Sequence, residues 1–294
     1  MREDDHVYLS LAEDQDDARW AFGTGFEDPL HGVDTAVPDG LDPAGLAALC
    51  LGLGDDALVA SQRLAEWCTR APELEEEVAL ANIGLDLLGQ ARMLLTRVGQ
   101  VDGTGRTEDD LAYLRESDDY RNVRLAELPN GDFAFSMARL LVFSAHRLAV
   151  FERLAAGHRD PVLRAVAAKG VKELTYHRQY AADWVVRLGD GTDESHRRMQ
   201  EGLDAIAPYV DELFRASADL DGDDDGDGNG DGDGEDVRSE VEGVLAQVAE
   251  AATLTVPPFE PMDGDGRAGV HTPCLAPLLF EMQSVARALP GGRW

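Results

Sequence analysis

The sequence contains almost no lysine, since Lys169 and Lys172 are the only two among its 294 residues. Lysine and arginine together number 26 against 57 aspartates and glutamates, which gives a formal charge of -31. Binding to nucleic-acid phosphates needs clustered basic side chains, so this balance argues against a nucleic-acid partner. An acidic surface repels itself in dilute buffer and is screened at about 1 M salt, where the Debye length is about 3 Å. We therefore interpret the charge as adaptation to high salt; the alternative is an acidic docking face for a basic partner.

Cysteine and several sequence signatures are also scarce. Cys50, Cys68 and Cys274 are far apart, odd in number and form no CxxC pair, which argues against a zinc knuckle or a disulfide framework. No secretory signal begins the chain, and no apolar window approaches the length that a membrane span needs, so we expect a cytoplasmic protein without a membrane partner. No GxSxG elbow, Walker A loop or dinucleotide fingerprint is present.

What the sequence does contain is a series of long segments rich in alanine and leucine from Pro43 onwards, with almost no strand-like alternation. These segments predict helices over about 43–69, 72–100, 107–116, 132–156, 160–188, 193–217, 236–254 and 274–289. Four are long, and a helix of about 25 residues spans nearly 40 Å, the length found in ferritin-like bundles. We predict an all-α, ferritin-like helical bundle with additional helices over residues 43–294.

Two acidic segments interrupt this pattern. Residues 1–42 contain glycine and proline and few apolar clusters, so we predict a poorly ordered tail. Residues 220–236 alternate aspartate with glycine and predict a flexible loop. Within this loop Asp225, Asp227, Asn229, Gly230 and Asp236 imitate an EF-hand calcium loop without its closing glutamate. Because alternating Asp and Gly produces this match by chance, calcium binding is the less favoured alternative.

Polar side chains also occur inside otherwise apolar helices, where burial is costly unless the groups are paired. The spacing i, i+4, i+8 places each set on one stripe of its helix. The first set is Asn82, Asp86 and Gln90, and the second is Lys169, Glu173 and His177, with Lys172 and Tyr176 beside it. Glu66 could join them from the first long helix. We interpret these residues as a degenerate site or buried polar network, with an ordinary solvated helix face as the alternative.

A di-iron bundle would need a Glu from each of two helices and a Glu-x-x-His from each of two others. Asp86 is followed three residues later by Gly89, and Glu173 by Tyr176, so both imidazoles are missing. Lys169 adds a positive charge that opposes metal binding. We therefore predict no catalytic, cofactor-binding or metal-binding residues in this chain. The rival hypothesis is an active di-iron or manganese carboxylate oxidase that uses Glu66, Asp86, Glu173 and His177.

Several segments resemble the C subunits of the bacterial phenylacetyl-CoA epoxidase. They are SQRLAEWCTRAPELEEEVALANIGLDLLGQAR at 61–92, PNGDFAFSMAR at 129–139, KGVKELTYH at 169–177, RLGDGTDES at 187–195, HTPCLAPLLFEMQ at 271–283 and LPGGRW at 289–294. The resemblance covers about 46–294, and the acidic composition suits a haloarchaeal-like member of this family. It implies a ferritin-like structural subunit that pairs with a homologous catalytic A subunit, which would hold the di-iron centre that epoxidises phenylacetyl-CoA with O2. A small B subunit and a flavin and iron–sulfur reductase would complete the complex.

Overall fold

The computed structural model describes residues 30–217, 220, 231–290 and 292, with the side chains of 231–233 left aside. These residues form helices and no β-strand, which confirms the predicted all-α class. The α-helices are α1 Pro43–Ala65, α2 Leu74–Val101, α3 Glu108–Tyr113, α4 Arg124–Glu127, α5 Phe133–Gly157, α6 Pro161–Gly189, α7 Asp193–Ile206, α8 Val210–Arg215, α9 Asp231–Ala252 and α10 Leu275–Ala288.

The four long helices α1, α2, α5 and α6 form the central bundle. Helices α1 and α2 pack as one hairpin and α5 and α6 as a second, and α2 packs against α6. Helices α7 and α9 lie against α5 and α6, while α4 packs on α1, and α3 packs on both α2 and α10. Two helical hairpins that share one apolar core are the ferritin-like arrangement, so this prediction is confirmed.

Polar capping residues fix where the bundle helices begin. Asp160 accepts a hydrogen bond from Leu163 N at 2.8 Å at the start of α6, and Pro161 occupies the first turn. Thr192 accepts one from Ser195 N at 3.2 Å at the start of α7. These caps satisfy backbone N–H groups that have no partner inside the helix. Both starts agree with the sequence prediction.

Other predicted boundaries differ from the structure. Helix α1 ends at Ala65 rather than near 69. The helix predicted over 193–217 is interrupted by a short 3-10 turn at Ala207–Tyr209, where Pro208 cannot donate a backbone hydrogen bond. Helix α9 begins at Asp231, so residues 231–236 belong to a helix rather than to the predicted loop, and acidic residues in a first turn favour the positive end of the helix dipole. Residues 218, 219 and 221–230, which hold most of the calcium-like motif, lie outside the described residues.

The end of the predicted acidic tail is part of the folded protein. Leu41 is 5% exposed within the core, and Val33 and Val37 pack against it. The backbone oxygen of Thr35 accepts a hydrogen bond from Arg97 Nη1 at 2.7 Å. Residues 30–42 therefore differ from the prediction because their apolar side chains cover the bundle, and residues 1–29 lie outside the described part of the chain.

The expectation that no segment is apolar enough to cross a membrane is wrong on length and composition. Helices α1, α2 and α5 each meet both criteria among the described residues. Their most apolar stretches are 67%, 44% and 89% buried inside the bundle, respectively. Alanine, leucine and glycine give these helices their apolar character, and in α1 and α5 those residues mainly pack against neighbouring helices.

Candidate functional site

A buried arginine lies at the centre of the helical bundle. Arg147 on α5 is 2% exposed, and its Nε donates a hydrogen bond to Gln90 Oε1 on α2 at 2.9 Å. Its Nη1 donates to the backbone oxygen of Leu53 on α1 at 3.1 Å. The guanidinium also lies 4.4 Å from the centre of the Phe151 ring. Burial lowers the pKa of Arg147 to about 10, an effect that the carboxylate of Asp56 partly offsets.

The hydrogen bonds continue from this arginine toward the surface. Gln90, which is fully buried, donates through Nε2 to Glu173 Oε2 on α6 at 2.9 Å. The other oxygen of Glu173 pairs with Lys169 one helical turn away. The Glu173 side chain is 15% exposed and that of Lys169 is 32% exposed. Arg147, Gln90, Glu173 and Lys169 thus form a connected series, here named the polar chain, from the bundle centre to the edge of α6.

Glycine allows α5 and α6 to approach closely beside the polar chain. A Cβ atom at Gly170 would lie 2.6 Å from the Phe151 ring and 3.4 Å from Gln90 Nε2. Any larger residue at this position would therefore push the two helices apart. The close approach places α6 within reach of the buried amide of Gln90.

A second polar contact joins α2 and α6 farther along. His177 on α6 is fully buried, and its Nε2 lies 3.0 Å from Asp86 Oδ2 on α2. The Asp86 side chain is 39% exposed. Tyr176 is 52% exposed, and its ring centre lies 6.3 Å from those of both His177 and Tyr180. The contact with Asp86 orients His177 at the seam between α2 and α6.

The remaining residues of the sequence-predicted set do not join these contacts. Asn82 and Lys172 are exposed on the outer sides of α2 and α6. Glu66 accepts hydrogen bonds from Arg63 Nη1 at 2.7 Å and from Asn130 Nδ2 at 3.1 Å, in a separate cluster after the end of α1. The expectation that Glu66 joins the lysine-bearing network is wrong, because the last turn of α1 gives it other partners.

The composition of the polar chain does not fit a di-iron centre. Two cations, Arg147 and Lys169, share one carboxylate, that of Glu173, whereas a dimetal site uses several carboxylates with imidazoles. Within the described ranges, no three His, Cys, Asp or Glu side chains are grouped so as to hold a metal ion. The donor set therefore disagrees with the rival dimetal hypothesis.

Sequence reasoning missed Arg147. It is a lone arginine in the apolar segment LLVFSAHRLAVF of α5. Arginine is almost never fully buried unless it is paired, so a charge within so apolar a helix is a detectable sign of an interior polar contact. The spacing rule overlooked it because Arg147 has no polar companions on its own helix face.

Other buried carboxylates in the described residues are also paired with arginine. The four clearest carboxylates are each at most 5% exposed. The pairs are Arg97 with Asp160, Arg115 with Asp55, Arg124 with Glu212, and Arg267 with Asp56. A guanidinium offers five donors in a planar fork, so it satisfies a buried carboxylate better than lysine does.

His271 fastens the segment before α10 onto the bundle. Its Nδ1 lies 2.9 Å from Glu127 Oε2 and its Nε2 lies 3.0 Å from the backbone oxygen of Tyr120, so both nitrogens face acceptors. Burial lowers the pKa of His271, but the hydrogen bonds and the negative charges of Glu127 and Glu212 outweigh it and raise the pKa above 6.5. Two acceptors favour the doubly protonated ring.

Comparison with known proteins agrees with this bundle. Residues 35–294 match the family model described as "Phenylacetic acid catabolic protein". The chain is 43% identical over 249 residues to the C subunit of the 1,2-phenylacetyl-CoA epoxidase of Escherichia coli (strain K12). That match covers 85% of this chain and 99% of the relative. The predicted family resemblance is thus confirmed, and the chain belongs to the phenylacetic acid catabolic protein family.

Proposed function

We propose that this chain is a structural, non-catalytic subunit of a phenylacetyl-CoA epoxidase that serves phenylacetate catabolism. The name of the relative supports the assignment, because the match covers 99% of that subunit's length. The polar chain supports the non-catalytic role, since Arg147 and Lys169 bring positive charge to the position where a dimetal bundle needs ligands. A cation held by hydrogen bonds satisfies the carboxylate of Glu173 without metal.

The proposal includes the rest of the complex. A homologous catalytic A subunit would carry the di-iron centre, and this chain would keep that subunit folded and assembled. A small B subunit and a flavin and iron–sulfur reductase would complete the complex in the cytoplasm. Support for other subunits comes from the relative, which is named as one lettered subunit of an epoxidase.

Co-expression with the candidate catalytic subunit from the same organism tests this function. The complex and this chain alone are purified in high salt, and iron per subunit is measured in both. We expect the two chains to co-elute and iron to follow only the partner. Retention of about two metals by this chain alone, with O2 consumption in the presence of a reductant, would establish the rival oxidase and overturn the proposal.

We further propose that the formal charge of -31 is an adaptation to molar salt. Screening at about 1 M salt shortens the Debye length to about 3 Å and removes most repulsion between surface carboxylates. Thermal unfolding followed by circular dichroism should show a higher melting temperature in about 1 M KCl than in about 0.1 M KCl. A melting temperature that is equal or lower in the concentrated salt would contradict this interpretation.

A further inference from the structure

Helix α2 is apolar but poorly covered. By composition α1, α2 and α5 are all apolar enough to span a membrane, yet only 44% of the apolar stretch of α2 is buried, against 67% in α1 and 89% in α5. Helices α7 and α9 cover the side of the bundle formed by α5 and α6, and α4 packs on α1. The outer side of α2, along its seam with α6, therefore exposes an unusual amount of apolar surface.

The exposed apolar residues of α2 lie on one stripe. Leu74, Val78 and Leu85 are 70%, 52% and 62% exposed. Their spacing of four and seven residues places them on the same side of the helix. Gly89 follows four residues after Leu85, and a Cβ atom added there would meet nothing within 4 Å. Across the seam Tyr176 of α6 is 52% exposed. We call these five residues the α2–α6 face.

The α2–α6 face adjoins the chain's two lysines. Lys172 is exposed on α6, one turn before Tyr176, and it pairs with no residue that the structure describes. Lys169 is a third exposed beside it. On a chain with a formal charge of -31, this is a local positive patch next to an apolar stripe. Such a patch complements a partner surface that presents a carboxylate.

Buried polar atoms under this face lack partners. Glu76 Oε2 on α2 and His177 Nδ1 on α6 make no hydrogen bond with any described residue. Nearby, burial and the negative charge of Glu76 raise the pKa of Tyr180 to about 12, so its hydroxyl stays neutral. Buried polar groups are almost always paired in complete structures. The seam between α2 and α6 thus has an unfinished polar network in the isolated chain.

We propose that the α2–α6 face binds a different helical subunit of the same epoxidase complex. The partner presents apolar side chains to Leu74, Val78 and Leu85 and a carboxylate to Lys172. A second copy of this chain would bring its own lysine-bearing patch, so charge complementarity favours a different subunit. This inference rests on the proposed function, because that function supplies the partner.

Two pairs of matched variants test the face in the co-expressed complex. Leu85→Gln removes an exposed apolar side chain from the face, and Phe280→Gln does the same on α10, where Phe280 is 74% exposed. Gly89→Trp adds bulk to the face, and Gly243→Trp adds it to α9, where a Cβ also meets nothing within 4 Å. We expect at least tenfold weaker association for Leu85→Gln, no co-elution for Gly89→Trp, and wild-type association for both controls. All four free chains should melt close to wild type.

The role of charge is tested at Lys172. Lys172→Glu should weaken association with the catalytic subunit at least tenfold, while Lys172→Arg should keep it close to wild type. Both substitutions are at an exposed position, so the free chain should melt as wild type does. Equal association of the two variants would remove the partner carboxylate from the proposal.

The outcomes separate this inference from the proposed function. Co-elution of the wild-type chain together with unchanged binding by Leu85→Gln and Gly89→Trp would leave the function standing and overturn the face. Failure of the wild-type chain to bind the catalytic subunit would overturn both. A free wild-type dimer that Gly89→Trp disrupts would show that a second copy occupies the face, which also overturns the inference.

Discussion

The hydrogen bond between Arg147 and Gln90 predicts a measurable coupling in stability. Both side chains are at most 2% exposed, and the charged Nε donor lies 2.9 Å from the amide oxygen. Arg147→Met leaves Gln90 Oε1 without this donor, and Gln90→Met leaves the buried guanidinium without this acceptor. The double variant removes both groups at once. A buried hydrogen bond from a charged donor contributes about 1.5–3 kcal/mol, so we expect the double variant to be less destabilised than the sum of the singles by about that amount.

Urea unfolding in molar salt measures the four free energies of this cycle. The contact between Gln90 and Glu173 is lost in both Gln90→Met and the double variant, so it cancels in the cycle to first order. Arg147→Met combined with Phe280→Gln provides the control, because Phe280 is exposed on α10, and its effects should add within about 0.5 kcal/mol. If the effects of Arg147→Met and Gln90→Met add within the same limit, the polar chain is not continuous at this bond.

Three further measurements follow from the same geometry. Lys169→Ala in the free chain should cost only about 1 kcal/mol in thermal or urea unfolding, well below the 3–5 kcal/mol of a fully buried pair, because water reaches the Lys169 side chain at 32% exposure. Arg97→Met, by contrast, should cost about 3–5 kcal/mol, since it strands the fully buried carboxylate of Asp160; a cost under about 1 kcal/mol would show that the pair is dispensable. Because the pKa of His271 is raised on folding, its stabilisation should be complete below about pH 6.5 and lost as the pH rises through the folded pKa, and His271→Gln should remove that part of the pH dependence of unfolding.

The sequence predicted the polar stripes but only part of how they meet. Spacing along one helix places Gln90 on a stripe of α2 and Glu173 with Lys169 on a stripe of α6, and the structure brings these three together. Spacing carries no information about which residue of a third helix faces them. Arg147 was missed for this reason, and Glu66 was assigned to the wrong cluster.

The helical elements were predictable because capping residues, proline and apolar periodicity act locally. Asp160 with Pro161 and Thr192 with its acidic followers marked true helix starts. The errors arose where tertiary packing or charge overrides local composition. Residues 30–42 read as a tail yet contribute Leu41 to the core, and residues 231–236 read as a loop yet begin α9.

The polar chain provides a physical route by which a partner could stabilise this subunit. Glu173 contacts Gln90 in the core and Lys169 at the edge of the α2–α6 face, so the strength of the outer pair depends on its exposure to water. A partner that covers the face would remove that water and strengthen the ion pair in the lower local dielectric. Binding stabilises the folded state by mass action in any case, but only shielding of this pair changes the cost of one particular substitution. Lys169→Ala should therefore destabilise the chain more within the complex than alone. An equal cost in both states would place the partner away from the lysines of α6.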